Sequence, residues 1–313
     1  MIRYSVVIPA YNEVESVGLL YDKVAPVLDA LGAPWEIVFV DDGSTDGTAD
    51  ALAALAAKDE RVRLFRQPRN FGKSAAYRVA FAQVRGEFVF TLDADLQDEP
   101  AEIPNLLAKL GEGWDLVVGW KVGRMQNEPI KRVPSGVYNA LLVSTFGLRL
   151  KDSNSGIRGM RRAVARSLVL YGDQYRFIPQ LSHAAGFRVT EIGVQHHARQ
   201  FGVSKYGAKR FWTGLLDLLT VRFLTKSRER PMHFFATLGL VPIGLGGALL
   251  AWSVFAKLGL GDRFQDHVAA IVVGVFLLGL GAQAIGIGLI AELITAQLFF
   301  LRHLGADERS EGR

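Results

Sequence analysis

Over its first 120 residues the chain alternates short apolar, β-branched runs with longer stretches whose apolar positions recur at helical spacing. Strand-like runs fall at Ser5–Ile8, Glu36–Val40, Val62–Phe65, Phe88–Leu92 and Leu116–Val118; helical patterns at Val14–Leu31, Thr48–Ala57 and Ser74–Val84 separate the first four. Strands joined by helices of this length predict βαβ units and an α/β domain built on a mostly parallel, Rossmann-like sheet. Such sheets bind ligands beyond the carboxyl ends of their strands. The polar segments that follow the runs, Pro9–Glu13, Asp41–Ser44 and Asp93–Asp95, are expected to converge on that edge.

After about residue 121 the periodicity weakens into a stretch bearing Lys, Arg, Gly and Pro, followed by Asp152–Arg162 and then a helix and a strand to about residue 194. Residues 206–225 mix Trp, Phe and Leu with Lys and Arg, the pattern of an amphipathic interfacial helix, although a core-facing helix has the same spacing. Residues 234–256 and 268–291 carry no charged side chain. About 20 apolar residues cross a hydrocarbon core, so two spans are expected. A buried helical hairpin is the alternative. Glycines 244, 246 and 247 on the first span and 279, 281, 286 and 288 on the second offer close helix approach and permit a homo-oligomer. The division expected is a catalytic domain over 1–205, a juxtamembrane region over 206–232, a two-helix membrane domain over 233–300 and a polar tail over 301–313.

Arg222, Lys226, Arg228 and Arg230 precede the first span, whereas Lys257 and Arg263 in the connecting loop are balanced by Asp262 and Asp266. By the positive-inside rule the large domain is cytoplasmic, on the inner membrane if the cell is bacterial. The apolar run ending at Pro9 is too short for a signal peptide, which fits the same side. With no cysteine in the chain, any metal is held by oxygen or histidine. The formal charge of +5 matters through its placement beside the spans, which points to a membrane surface and phosphate rather than nucleic acid.

Asp93 and Asp95, with Gln97 and Asp98 nearby, follow a strand-like run; paired carboxylates plus substrate phosphates are how proteins usually hold Mg2+ or Mn2+. A turn or helix cap is the competing role. Asp41 and Asp42 repel one another, which calls for a partner: ribose hydroxyls, a uracil or guanine N–H, or a cation. Ser44, Asp46 and Thr48 suit the cap of the next helix. Asn70-Phe71-Gly72-Lys73 opens a helix whose free N–H groups and Lys charge suit a diphosphate. Basic groups recur at Arg124, Lys131, Arg132, Arg199 and Lys205. The adjacent His196 and His197 point to opposite sides of a strand and are not read as a metal pair.

Taken in order, Val7–Glu13, Asp41-Asp42-Gly43-Ser44-x-Asp46-Gly47-Thr48, Asn70-x-Gly72-Lys73, Asp93-Ala94-Asp95-Leu96-Gln97-Asp98-x-Pro100, Asp152-x-x-Ser155-Gly156 and Arg199-x-x-Gly202-x-Ser204-Lys205-Tyr206 resemble the dolichol-phosphate mannose synthase and bactoprenol (undecaprenyl-phosphate) glucosyltransferase branch of family 2 glycosyltransferases. The resemblance covers about residues 4 to 300. It implies a GT-A fold with the nucleotide-sugar held around Pro9, Ala10, Tyr11, Glu13, Asp42, Asn70, Lys73, Asp93 and Ala94. It further implies a divalent cation on Asp93, Asp95 and Gln97. The acceptor phosphate would lie on Lys131, Arg132, Ser135, Arg199, Ser204 and Lys205, and Asp95, Arg132, Ser135, Arg199 and Lys205 would carry catalysis. Lys121 stands where the family leads one to expect Arg, which turns a bidentate phosphate contact into a point charge.

The chemistry expected is inverting transfer of one sugar from a UDP- or GDP-linked donor to a polyprenyl phosphate. A phosphate monoester with second pKa near 6 is already ionised at neutral pH, so the acceptor needs no catalytic base. The alternatives are a glycosyltransferase using another acceptor, a sugar nucleotidyltransferase, and a non-catalytic membrane adaptor that binds nucleotide-sugar or lipid phosphate. A processive polysaccharide synthase would carry Gln-x-x-Arg-Trp, which this sequence lacks.

Overall fold

In the computed structural model, residues 1–122, 142–195, 220–221, 223, 231–261 and 263–311 are described. The chain divides into two compact units, Met1–Val221 and Arg222–Arg313. The first is built on β1 (Tyr4–Ala10), α1 (Val14–Ala30), β2 (Trp35–Asp41), α2 (Thr48–Lys58), β3 (Val62–Arg66), α3 (Lys73–Gln83), β4 (Phe88–Thr91), α4 (Ile103–Gly111) and β5 (Leu116–Lys121). There follow β6 (Arg158–Arg161), α5 (Arg162–Ser167), α6 (Ile178–Ala184) and β7 (Val189–Val194). The seven strands form one sheet in the order β3-β2-β1-β4-β6-β5-β7.

Side-chain alternation explains the two layers. Val6 and Ile8 of β1 face α1, α2 and α4 with Ile37, Phe39 and Phe90, against Leu20, Val24, Leu52 and Leu106. Val7 between them faces α3, α5 and α6 with Val38, Val40 and Val89, against Tyr77, Ala80, Phe81 and Val164. Both faces are covered, so the middle of β2, Ile37–Val40, reads as a continuous apolar run in the sequence, as parallel strands do. Burying each such side chain contributes about 1.5–3 kcal/mol over leaving it in water.

The mostly parallel sheet expected from the sequence is observed, with one addition. β6 runs antiparallel between β4 and β5, pairing Arg158 with both Thr91 and Val118. Its four residues, Arg-Gly-Met-Arg, carry no strand signal of their own; neighbours on both sides impose the conformation. An added Cβ on Gly159 would sit 3.1 Å from the Phe90 ring and 3.2 Å from Leu106 Cβ, which is why α4 packs so closely there.

At the amino edge of the sheet, away from the acidic loops, the fully buried Glu36 ties four segments together. It accepts hydrogen bonds from Ser5 Oγ (2.7 Å), Arg85 N (2.7 Å), Arg85 Nε (2.8 Å) and Arg63 Nη1 (3.0 Å). Burial pushes its carboxyl up, but these donors outweigh it and leave the value below the ordinary one. A depressed folded value means stability that is present above the unfolded carboxyl's range, near pH 4.3, and lost as pH falls. Glu36→Ala takes the acceptor from the buried Ser5 hydroxyl and the Arg85 N–H, while the partly exposed Arg63 and Arg85 guanidinium groups turn to water. It is expected to cost about 1–3 kcal/mol, read as a fall in melting temperature in detergent; an unchanged melting temperature would contradict the network's role.

In the second unit, α7 (Pro231–Phe255) and α8 (Val268–Glu311) form a helical hairpin. Their apolar segments, Pro231–Leu260 and Gln265–Gln297, have mean hydropathy 1.9 and 2.4, and only 11% of an 18-residue stretch in each is buried. A core helix of a soluble protein would be mostly covered; here Val241, Leu245, Val272 and Phe276 stand exposed. The two helices fit membrane spans. α8 continues through the expected polar tail as helix to Glu311. Glu292 Oε2 accepts the Met232 N–H at 3.0 Å, capping the start of α7.

Glycines allow the hairpin to close. A Cβ on Gly281 would lie 2.5 Å from Gly239 O, one on Gly246 the same distance from Gly274 O, and one on Gly288 2.8 Å from Phe235 Cβ. Gly239 and Gly246 are spaced by one heptad, as are Gly274, Gly281 and Gly288, so they recur on one helix face. Gly244, Gly247, Gly279 and Gly286, read from the sequence as close-approach positions, have nothing within 4 Å of an added Cβ. Gly281→Leu is therefore expected to destabilise the hairpin by about 1–3 kcal/mol. Gly279→Leu is expected to be tolerated. Equal melting temperatures for the two variants in detergent would refute this packing.

Candidate functional site

The loops after β1 and β2 are stitched together residue by residue. Asn12, in a left-handed conformation (φ 55°), accepts the Thr45 N–H at 2.9 Å through Oδ1, and its own N–H donates to Ser44 Oγ at 2.9 Å. Glu13 N donates to Thr48 Oγ1 at 2.8 Å, and Asp46 Oδ1 accepts the Thr48 N–H at 3.0 Å at the start of α2. The N-cap of α2 is Gly47 and no side chain caps it, so Ser44 and Thr48, expected as caps, instead accept N–H groups of the loop after β1. Glu13 accepts from Ser16 Oγ at 2.9 Å, which secures the first turn of α1. Pro9 and Ala10 end β1, and the half-buried Tyr11 follows them at the sheet's carboxyl edge.

Asp41 and Asp42 are both buried. Asp41 Oδ1 accepts the Ser44 N–H at 3.2 Å. Asp42 takes three donors from the loop after β3: Gln67 Nε2 (2.9 Å), Phe71 N (2.8 Å) and Gly72 N (2.9 Å). The partner that two adjacent acids demanded is thus, for Asp42, the chain itself. Burial still holds its carboxyl above the ordinary value against the Phe71 and Gly72 amides, with the Asp41 charge adding to the rise. Gly43 (φ 71°) is required twice, for its backbone and because any Cβ would strike the Arg69 backbone. Asn70 Oδ1 accepts the Gly72 N–H at 3.1 Å. The Asn-Phe-Gly-Lys segment is therefore fixed against β2, with Lys73 at the first position of α3.

The end of β4 carries the densest charge. Lys73 Nζ is ion-paired with Asp93 Oδ1 and lies 5.7 Å from the Tyr77 ring and 5.2 Å from the Tyr175 ring. Asp98 Oδ2 accepts the Asp93 N–H at 3.2 Å, and Lys121 Nζ is 3.9 Å from Asp98 Oδ1. Ala94 and Asp95 are buried, and Asp95 Oδ1 accepts the Gln97 N–H at 3.2 Å, with Leu96 between them at φ 60°. Burial pushes the Asp93 carboxyl up, but the Lys73 ammonium, joined by Lys121 and Arg158, more than offsets it and holds it below the ordinary value. Burial and the Asp93 charge push Asp98 up to about 7. Lys73 is held above its usual value by Asp93 in spite of burial.

The Asp152–Gly156 segment closes over these carboxylates. Thr91 Oγ1 donates to Gly156 O at 2.7 Å, and a Cβ on Gly156 would lie 2.5 Å from Asp93 Cγ and 2.6 Å from Asp98 Oδ2. Beneath sits Arg158, 1% exposed, whose Nε and Nη1 have no hydrogen-bond partner. No motif in the sequence singles out Arg158. A charged residue in a segment with no strand signal gives no hint that it is buried.

The structure thus gathers Pro9, Ala10, Tyr11, Glu13, Asp42, Asn70, Lys73, Asp93, Ala94, Asp95 and Gln97 at the carboxyl edge of one sheet. The remaining expected positions, Arg124, Lys131, Arg132, Ser135, His196, His197, Arg199, Ser204, Lys205, Arg222, Lys226, Arg228 and Arg230, with most of the segment 206–225, lie outside the described residues. Among the described residues no three His, Cys, Asp or Glu side chains are grouped to hold a metal ion.

Comparison with known proteins agrees with this architecture. The sequence profile described as glycosyl transferase family 2 matches residues 5–169. Dodecaprenyl-phosphate galacturonate synthase of Rhizobium johnstonii is 36% identical over 94% of this chain and 88% of its own. Undecaprenyl-phosphate 4-deoxy-4-formamido-L-arabinose transferase of Salmonella paratyphi B is 35% identical over 93% and 88%. In fold, mannosyl-3-phosphoglycerate synthase from Rubrobacter xylanophilus superposes with TM-score 0.57 at 18% identity, over 72% of this chain and 75% of that one. Glucosyl-3-phosphoglycerate synthase from Mycobacterium tuberculosis, solved with Mn2+ and UDP-glucose, gives 0.53 at 23%, over 71% and 79%. The chain is a glycosyltransferase and belongs to glycosyl transferase family 2.

Proposed function

We propose that this enzyme moves a single sugar from a UDP- or GDP-linked donor to a polyprenyl phosphate at the cytoplasmic face of a membrane. The observation that carries the reading is one chain joining an acidic carboxyl-edge site to two membrane-length apolar helices. The two relatives named above act, by their names, with different sugars on the same class of lipid phosphate, and the alignment spans both units. The acceptor class is what they share; the sugar is not.

The donor set at β4 fits a divalent cation brought in with the donor. Asp93, Asp95 and Gln97 offer only hard oxygen ligands, and Mg2+ or Mn2+ commonly takes one or two carboxylates plus substrate phosphates. That demand is met without a three-carboxylate cage. When bound, the cation would neutralise charge growing on the departing nucleoside diphosphate. The chain's own part is positioning: Asp42 anchors the segment leading to Lys73, Asp98 fixes the Asp93 backbone, and Gly156 lets the covering loop approach. Lys131, Arg132, Ser135, Arg199, Ser204 and Lys205 are proposed to receive the acceptor phosphate near the membrane. Because that phosphate is already anionic, it attacks directly, and one displacement inverts the anomeric centre.

A comparison of acceptors tests this reading. Polyprenyl phosphate should be glycosylated and the matching polyprenol should not, since the phosphate is already an anionic nucleophile and an alcohol needs a base. Equal transfer to both would overturn the proposal.

A further inference from the structure

The ion pair between Lys73 and Asp93 occupies one of the carboxylates to which the proposed function assigns the metal. Each partner is partly open to solvent, with side-chain exposures of 26% and 29%, so an incoming ligand reaches both. Lys73 stands at the first position of α3, where backbone N–H groups and a cation suit a diphosphate. Tyr77 and Tyr175 flank its ammonium, which keeps the head group near the carboxylate.

Among the described residues, Lys73, Lys121 and Arg158 all act on Asp93, and Lys121 also approaches Asp98 beside it. Three cations thus stand around two carboxylates, and Arg158 has two buried N–H groups without acceptors. A bare divalent cation entering this cation-rich cluster is repelled and must displace an ammonium. A cation already neutralised by the two negative charges of a nucleotide-sugar's diphosphate meets neither obstacle, because the diphosphate receives the ammonium that Asp93 releases.

We infer that Lys73 is a built-in counter-ion that keeps the metal position closed until the donor arrives. It passes from Asp93 to the donor's diphosphate as the cation takes its place. Metal binding is therefore coupled to nucleotide binding, and Lys73 is the coupling residue. The inference rests on the proposed metal-assisted donor site.

The test measures Mn2+ binding to the full chain in detergent, by electron paramagnetic resonance of free Mn2+, alone and with saturating UDP or GDP. Wild type is expected to bind Mn2+ at least tenfold more tightly with its nucleotide than without. Lys73→Met should bind Mn2+ alone at least tenfold more tightly than wild type and lose most of the nucleotide effect, whereas Lys73→Arg should restore the wild-type pattern. Wild type binding Mn2+ equally well with and without nucleotide would overturn the inference whatever the variants do, as would Lys73→Met matching wild type for Mn2+ alone. Wild type that binds Mn2+ in neither condition, yet transfers sugar in EDTA, would remove the metal-assisted site on which the inference stands.

Discussion

Asp95→Ala is expected to lower kcat/KM for sugar transfer by about a thousandfold or more, with melting temperature within a few degrees of wild type. The carboxylate sits at the carboxyl end of the central strand β4, and its hydrogen bond to Gln97 N is local, holding the turn through Leu96. It is buried at 8% exposure, whereas Asp93 is held by Lys73. Losing a preorganised electrostatic group commonly costs 10²–10³ in rate, about 3–4 kcal/mol, and losing the ion's site costs at least that. Asp95→Asn, nearly the same shape but uncharged, should be almost as inactive. Wild-type turnover by either variant would show that the leaving diphosphate is stabilised elsewhere.

Gly156→Ala carries the second large effect. The glycine is required for space, since its backbone is not in the left-handed region and the methyl carbon would lie 2.5 Å from Asp93 Cγ. Something must shift, and the atoms in the way are the two carboxylates that shape the site. A displacement of about 1 Å in a positioned group costs roughly a hundredfold in rate. The expected result is a kcat/KM about a hundredfold lower while the donor's KM changes much less. A variant with wild-type kcat would mean that the 152–156 loop yields instead and that the carboxylates do not depend on it.

Much of this site was legible because parallel sheets announce their strand ends. Asp41, Asp42, Asp93 and Asp95 each follow a run that buries apolar residues on both faces, so the edge they share follows from strand alternation alone. Who partners whom was not legible. Asp42 turned out to hold the Phe71 and Gly72 amides, a pairing between loops some 30 residues apart that no local pattern encodes. β6 was hidden for the same reason: Gly159 and two arginines become a strand only because β4 and β5 stand on either side. In the spans, glycine content was evident but its direction was not. A heptad places Gly239, Gly246, Gly274 and Gly281 inward, and the adjacent Gly247 points away.

Opposite edges of the sheet carry separate duties. Glu36 and its arginines secure the amino edge, where removal is expected to cost stability, and Asp95 and Gly156 shape the carboxyl edge, where removal is expected to cost rate. Such separation follows from the fold, since only one edge of a parallel sheet opens onto the ligand crevice.

The central claim is tested most directly by incubating membranes that contain the protein with polyprenyl phosphate and a panel of radiolabelled UDP- and GDP-sugars, with and without EDTA. One donor should label the lipid fraction, and EDTA should abolish the labelling. No labelled lipid from any donor, or labelling indifferent to EDTA, would contradict metal-assisted transfer of a sugar to a lipid phosphate.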